Sequence, residues 1–368
     1  MEGLRAGVKT MRSFLKKLDR STGGNLRALK AKISHVSARR KIMRILLGLM
    51  NKVQTDQLDP ADLYFCYRLL LGRRPDRPGW NDWIQQIRMG KTREALVNAF
   101  LGSDEYTEAK PSSRSRQVKL DDFLIYVDSQ DPYVGQPILR DRGYEPNVTA
   151  CIRKRLREGM TFLDVGANIG WFTLTGAVLC GEKGKIFAVE PSPDNLQLLY
   201  RSLSANRFGN VTVFPYAASD SRGFFRLSSA FSNAAVLPAE AAAEGATLVQ
   251  AAPIDELLGN EQDVDLIKID IEGHEPAAFR GMEKLLKRCR PVIVSEYSPK
   301  AIREGLDENP ADYPAGLRGL GYRLKVIEPD GNELEMADEG EIMSYWERLN
   351  RKLGTGDTHH LDLLAEQP

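Results

Sequence analysis

Cysteine is scarce in this chain. Its four residues, Cys66, Cys151, Cys180 and Cys289, lie far apart and form no C-x-x-C pair. That argues against a zinc site or a disulfide framework and fits a reducing compartment. The four histidines, His35, His274, His359 and His360, make no H-E-x-x-H pattern, so no resident metal is expected. No apolar run approaches the roughly 18 residues that a bilayer-spanning helix needs. The first 20 residues are basic but lack the continuous apolar stretch of a signal peptide. The expected location is the cytoplasm. Internal repeats are absent, and the one biased tract is the Ala-rich 239–246, read as a surface loop or short helix.

With 368 residues the chain is long enough for two domains or for one large domain with a satellite. Its net charge of +1 conceals an asymmetry. Residues 1–55 carry 14 Lys and Arg against only Glu2 and Asp19, so the remainder is mildly acidic. Short apolar faces at 11–18 and 41–50 suggest helical pieces. One reading makes this arm a peripheral contact with anionic lipid on the inner face of a membrane, or with a partner. The favoured one is a solvated basic tail, because the faces are short and Gly23-Gly24 interrupts them.

Residues 56–109 read as a small helical unit. Asp59-Pro60 has N-cap and N1 character, and Leu63, Cys66, Tyr67 and Leu70 follow helical spacing. Trp80, Trp83, Ile84 and Ile87 predict a second helix stopped near Gly90. Leu96, Val97, Phe100 and Leu101 predict a third. The wording Tyr67-Arg68-Leu69-Leu70-Leu71-Gly72-Arg73-Arg74-Pro75-Asp76, with Gly79, Trp83 and Phe100–Tyr106, resembles a small domain of unknown function related to phycobilisome linker domains. The unit holds no catalytic constellation, so a protein-docking role is expected. Residues 110–117 form a polar linker.

From residue 118 to 368 the texture becomes that of an α/β domain. Short apolar runs at 162–165, 186–189, 211–214, 266–271 and 292–294 read as buried parallel strands. Helices are expected at 195–203 and 276–286. The first run leads into Gly166-Ala167-Asn168-Ile169-Gly170. Gly166 permits a sharp turn at the sheet's carboxyl edge, and Gly170 a close approach. A dinucleotide loop reads G-x-G-x-x-G, and Asn168 here replaces its second glycine. The loop therefore suits a nucleoside ligand bearing an amino acid rather than a pyrophosphate. Asp164 is placed to accept from an ammonium group. Glu190, 20 residues after Gly170 at the end of the next strand, is placed to accept from ribose hydroxyls. Ser219 and Asp220, after the strand expected at 211–216, are candidates for the adenine. These features point to S-adenosylmethionine (SAM).

The stretch from Val264 to Pro276 is the richest in chemistry. Strand alternation puts Ile267, Ile269 and Ile271 on one side and Lys268, Asp270 and Glu272 on the other. A cation and two acids at a central strand end are costly to bury unless paired or functional. Asp270, Glu272, His274 and Glu296 are the candidates for acceptor binding and proton removal. His274 is weighed against a solvated loop histidine.

The motifs 163–170, Glu190-Pro191, Pro253-Ile254-Asp255-Glu256-Leu257, Ile267–Glu275 and Gly321-Tyr322, preceded by Tyr144-Glu145-Pro146, occur in an order that resembles the FkbM methyltransferases. The resemblance covers about 118–366. It implies a class I, Rossmann-like SAM fold of seven main strands, the last, near 360–365, in an antiparallel hairpin. It also implies O-methylation of hydroxyls on polyketides or sugars. SAM contacts carry over to Gly166, Asn168, Gly170 and Glu190, with Asp164, Ser219 and Asp220 beside them. The acceptor side carries over to Asp270, Glu272 and Glu296. A bacterial glycan or glycolipid hydroxyl is the favoured acceptor, a polyketide or other small molecule the alternative, and no nucleic acid is expected. The reading from another class is an interaction protein with a vestigial SAM site.

Overall fold

The computed structural model describes residues 75–91, 114–227, 236–238, 247–259 and 263–368, with single positions between 63 and 105. The arm at 1–55, and with it the membrane and partner readings, lies outside the described residues, as does the tract 239–246. Among the described residues no helix is long and apolar enough to cross a membrane.

In the N-terminal part, helix α1 (Arg77–Arg88) covers the expected second helix, and Gly90 at φ 92° follows it. Leu63, Cys66, Tyr67, Leu96 and Phe100 are buried, as their spacing predicts. The Phe100 ring meets Tyr67 edge-on at 4.9 Å and Trp83 at 5.0 Å.

The larger part opens with a hairpin, β1 (Ser115–Lys119) and β2 (Leu124–Asp128), followed by α2 (Gly135–Asp141) and α3 (Pro146–Arg155). The alternating core then runs β3 (Thr161–Val165), α4 (Trp171–Cys180), β4 (Lys185–Val189), α5 (Pro193–Asn206) and β5 (Val211–Phe214). A second small sheet is built from β6 (Ala217–Ala218), β7 (Gly223–Leu227), β8 (Val236–Pro238) and β9 (Thr247–Ala252). The chain returns through α6 (Ile254–Leu258), β10 (Leu266–Ile269), α7 (Glu275–Arg280), α8 (Glu283–Cys289) and β11 (Val292–Tyr297). It ends with α9 (Pro299–Leu306), α10 (Asp312–Gly319), β12 (Arg323–Ile327), β13 (Glu333–Met336), α11 (Glu339–Leu353) and β14 (Leu361–Glu366).

The main sheet has the order β13-β12-β14-β11-β10-β3-β4-β5. Strands β11, β10, β3, β4 and β5 are parallel, and β14 inserts antiparallel between β11 and β12. This is the doubly wound α/β architecture expected. It has eight strands rather than seven, because β13 pairs antiparallel on the outer edge of β12. Apolar residues of β3 point alternately into two cores: Leu163 and Val165 into one, Phe162 into the other. A strand covered on both faces reads as an uninterrupted apolar run, which is why these strands were legible.

Three expected elements differ. The strand at 266–271 stops at Ile269, because Glu272 at φ 57° and Gly273 at φ 93° leave extended backbone. The helix at 276–286 is two helices, broken at Gly281, where a Cβ would collide with the Ser219 carbonyl. The strand at 211–216 ends at Phe214, and Ala217–Ala218 joins β9 in the small sheet.

At the opposite end of the sheet from the glycine loop, Arg155 donates to Glu366 at 2.8 Å and to Glu333 at 2.9 Å, tying α3 to β13 and β14. Lys325 meets Glu366 at 2.9 Å and Glu333 at 3.6 Å. The Arg155 side chain is only 11% exposed, so its loss leaves two half-buried carboxylates short of a cation. Arg155→Ala is expected to cost about 2 kcal/mol, between an exposed and a fully buried pair. Thermal unfolding is the check, with Tm falling by roughly 4–8 °C; an unchanged Tm would show the network to be idle.

Candidate active site

The glycine loop crosses the end of β10. Asp270 N–H donates to the Val165 carbonyl at 3.1 Å, and a Cβ on Gly166 would overlap the Asp270 carbonyl oxygen. With φ at 77°, that position requires glycine on both counts. Asn168 also takes a left-handed conformation (φ 54°), and its Oδ1 accepts from Ile169 N–H at 2.7 Å. Short polar residues tolerate this region best. Gly170, at φ 99°, caps α4.

Glu190 closes this loop from β4. Its Oε2 accepts from Asn168 N–H at 2.9 Å, and its Oε1 accepts from Ser192 N–H at 2.7 Å and Asn195 Nδ2 at 3.3 Å. The residue is buried, and burial pushes its pKa up to about 7 against the pull of those hydrogen bonds. Asp164 is wholly buried one strand away. Its Oδ2 accepts from Thr173 Oγ1 at 2.5 Å, while Oδ1 has no protein partner. An orphaned carboxylate oxygen and a carboxylate held at the loop fit a ligand that brings donors of its own.

The second half of the site gathers at the ends of β10, β11 and β14. Lys268 lies buried on the face opposite Ile267 and Ile269, as the alternation predicts. Its Nζ is 3.0 Å from Asp270 Oδ2 and 4.8 Å from the centre of the Phe172 ring. Burial opposes the lysine's charge, but Asp270, Asp164 and Glu145 outweigh it and drive the pKa above the ordinary lysine range. Burial likewise disfavours ionised Asp270. Lys268 and a hydrogen bond with Glu296 overcome that and hold its carboxyl below the usual range. Glu296 moves the other way: burial, then the Asp270 and Glu272 charges, push it well up. Asp270 and Glu296 thus form an unequal pair, the first shifted toward its ionised form and the second toward its protonated form. Glu272 is raised to about 7, by burial first and then by Asp270.

Sequence reasoning missed two members. Glu145, in left-handed backbone (φ 41°) before Pro146, is raised to about 8 by burial and by Asp270. Asp362 stands opposite Glu296 in the β11–β14 register and accepts from Asn147 Nδ2 at 2.9 Å. The Glu145-Pro146 wording was the one local signal; nothing local marked Asp362.

Three candidates stand apart from the acid group. His274 does not join the acid group. Beyond Gly273 it turns toward Ser219, whose Oγ is 3.3 Å from its Nε2, and it packs against Phe225 with ring centres 5.3 Å apart. Burial lowers its pKa, and its charged neighbours are Asp220, Arg280 and Glu308. Ser219 is buried in that contact, and Asp220 is paired at the surface with Arg280 at 3.1 Å. Glu275, wholly buried, caps its own loop by accepting from Ile271 and Gly273 N–H. No group of metal-holding side chains occurs among the described residues.

The loop, with Lys268, Asp270, Glu272 and Glu296, falls within a match to the methyltransferase FkbM domain model over residues 164–324, while Glu145 and Asp362 flank it. A second model, the domain of unknown function DUF4214, matches 51–109. The hexuronic acid methyltransferase AglP of Haloferax volcanii is 30% identical over 177 residues, which are 46% of this chain and 71% of AglP. The chain belongs to the FkbM methyltransferase family. It is a SAM-dependent methyltransferase. A protein-L-isoaspartate O-methyltransferase of Methanococcoides burtonii is 33% identical over 78 residues; the match spans 19% of this methyltransferase and 38% of that relative. Among solved structures, an FkbM methyltransferase from Methylobacillus flagellatus aligns with 16% identity and a TM-score of 0.36, covering 84% of this chain and 62% of that one.

Proposed function

We propose that residues 118–368 form an O-methyltransferase domain acting on a sugar hydroxyl of a glycan or glycolipid, with Asp270 as the general base. The observation that carries this reading is the Asp270 carboxyl, held 3.0 Å from the Lys268 ammonium on a residue whose backbone carbonyl packs against Gly166 of the loop. The printed name of AglP, which specifies a hexuronic acid acceptor, supports a sugar.

When bound, SAM supplies an activated methyl group. In this reading the Gly166–Gly170 turn lets backbone approach it, Glu190 accepts from its ribose and Asp164 from its ammonium. Ser219 supports the adenine side through its contact with His274, while Asp220 is drawn off to Arg280. Asp270 accepts the hydroxyl proton as the new bond forms, with Glu272 and Glu296 orienting the acceptor. Base assistance of this kind contributes about 10²–10⁴ in rate. The test is incubation with labelled SAM and a panel of nucleotide sugars, lipid-linked glycans and polysaccharide, with mass spectrometry of the products. Methylation confined to non-sugar hydroxyls would overturn the acceptor class.

The role of Lys268 has its own signature. Below the pKa of Asp270 the base is protonated and the rate falls, and Lys268 keeps that limb at low pH. Lys268→Met is expected to move the acidic limb of the pH–rate profile upward, while Lys268→Arg leaves it in place. An unmoved limb in Lys268→Met would remove Lys268 from this role.

A further inference from the structure

Two buried threonines stand in the first half of α4, and their hydroxyls bond differently. Thr175 donates to the Trp171 carbonyl at 2.9 Å, four residues back in its own helix, which is the usual bond of a helical threonine. Thr173 does not. It is wholly buried, and its Oγ1 donates out of the helix to Asp164 Oδ2 on β3 at 2.5 Å. That length lies in the range of hydroxyl bonds to a charged carboxylate. The other oxygen of Asp164, Oδ1, is buried without a protein partner. Lys268 is level with Asp164 on the adjoining strand, yet its Nζ goes to Asp270 at 3.0 Å. Burial pushes the Asp164 pKa up, while Lys268 and then the Thr173 hydroxyl pull it down. Thr173 follows Gly170 by three residues, so the glycine that turns the loop into α4 also sets where this hydroxyl stands. One donor thus fixes one carboxylate oxygen and leaves its twin for a ligand.

We propose that Thr173 is a positioning residue of the cofactor site: its hydroxyl holds the Asp164 carboxylate so that Oδ1 accepts from the ammonium of the SAM amino-acid moiety, directly or through one water. This rests on the reading of Asp164 as the ammonium acceptor. Valine at 173 would keep the shape of the side chain and leave both carboxylate oxygens without a protein hydroxyl. A buried carboxylate in that state is costly to keep charged and is free to turn. The loss therefore falls on ligands that carry the ammonium and spares those that lack it.

The experiment titrates the full chain calorimetrically with S-adenosylhomocysteine and with 5′-methylthioadenosine, which keeps the nucleoside and the sulfur but lacks the amino acid. Neither acceptor nor turnover is needed. Thr173→Val is expected to weaken S-adenosylhomocysteine binding about tenfold, as loss of a hydrogen bond to a charged group does, with methylthioadenosine affinity unchanged. Thr173→Ser keeps the hydroxyl and the wild-type affinity for both. Thr175→Val, which loses only a bond within the helix, also keeps both. If Thr173→Val folds poorly, Thr173→Cys, with its weak S–H donor, is read in the same way. Equal weakening of the two ligands, an unchanged S-adenosylhomocysteine affinity, a matching loss in Thr175→Val, or failure of serine to preserve binding overturns the proposal. Asp164→Asn separates the two layers: an unchanged ratio of the two affinities there refutes Asp164 as the ammonium acceptor, whereas a lowered ratio with Thr173→Val unaffected refutes only the part played by Thr173.

Discussion

Replacing Asp270 with asparagine is expected to lower kcat by about 10²–10⁴ while leaving the affinity for SAM within a few-fold. The substitution keeps the size of the side chain and removes its capacity to take a proton. Lys268 would lose its nearest anion, while Asp164 continues to face it. Glu296 provides the internal comparison. Burial and the Asp270 charge push it toward its protonated form, and glutamine resembles a protonated carboxyl. Glu296→Gln should therefore cost well under the Asp270 effect. Steady-state kinetics alongside calorimetric SAM titration read both quantities. Equal losses in the two variants would mean that the pair acts through its shared shape and not through the charge on Asp270.

Glu190→Gln is expected to weaken SAM binding roughly 10- to 100-fold, the worth of hydrogen bonds to a charged acceptor. The amide also brings two donors to oxygens that now receive Asn168 and Ser192 N–H groups, so one contact becomes donor against donor and the loop loosens. The effect carries a pH signature. With its pKa raised to about 7, Glu190 is ionised above that pH and protonated below it. Ribose recognition favours the ionised form, so SAM affinity should fall as pH drops through 7, by at most tenfold per unit from this group. Glu145, Glu272 and Glu275 titrate nearby, so the difference between wild type and Glu190→Gln is the quantity to measure. For folding without ligand the sign is reversed. A carboxyl raised from 4.5 to about 7 holds its proton longer in the folded state, so its contribution to stability falls between those pH values. Parallel pH profiles for the two proteins would exclude Glu190 as the ribose acceptor.

What could be read without the structure was local. The glycine turn was legible because positive φ and the absence of a Cβ leave their mark in residue type at Gly166 and Gly170. Glu190 was legible as an acid at a fixed place in the βαβ unit after the turn, and the structure sets its carboxyl against the Asn168 N–H. The Lys268–Asp270 pairing followed from period-two alternation along one strand. His274 was read into the acid group on proximity in sequence. Yet Glu272 and Gly273 reverse the backbone between them, and the ring faces Ser219 and Phe225 instead.

By itself, then, the sequence determined the α/β rhythm, the SAM loop and the family, since each is written in short-range pattern and residue type. Only the tertiary structure decided which carboxyls gather around Asp270. Glu145 comes from the N-cap of α3, Glu296 from β11 and Asp362 from β14; the last two stand opposite each other because β14 threads antiparallel beside β11. Electrostatic coupling depends on distance through space and on burial. Both are set by strand order and register, and neither has a period along the chain.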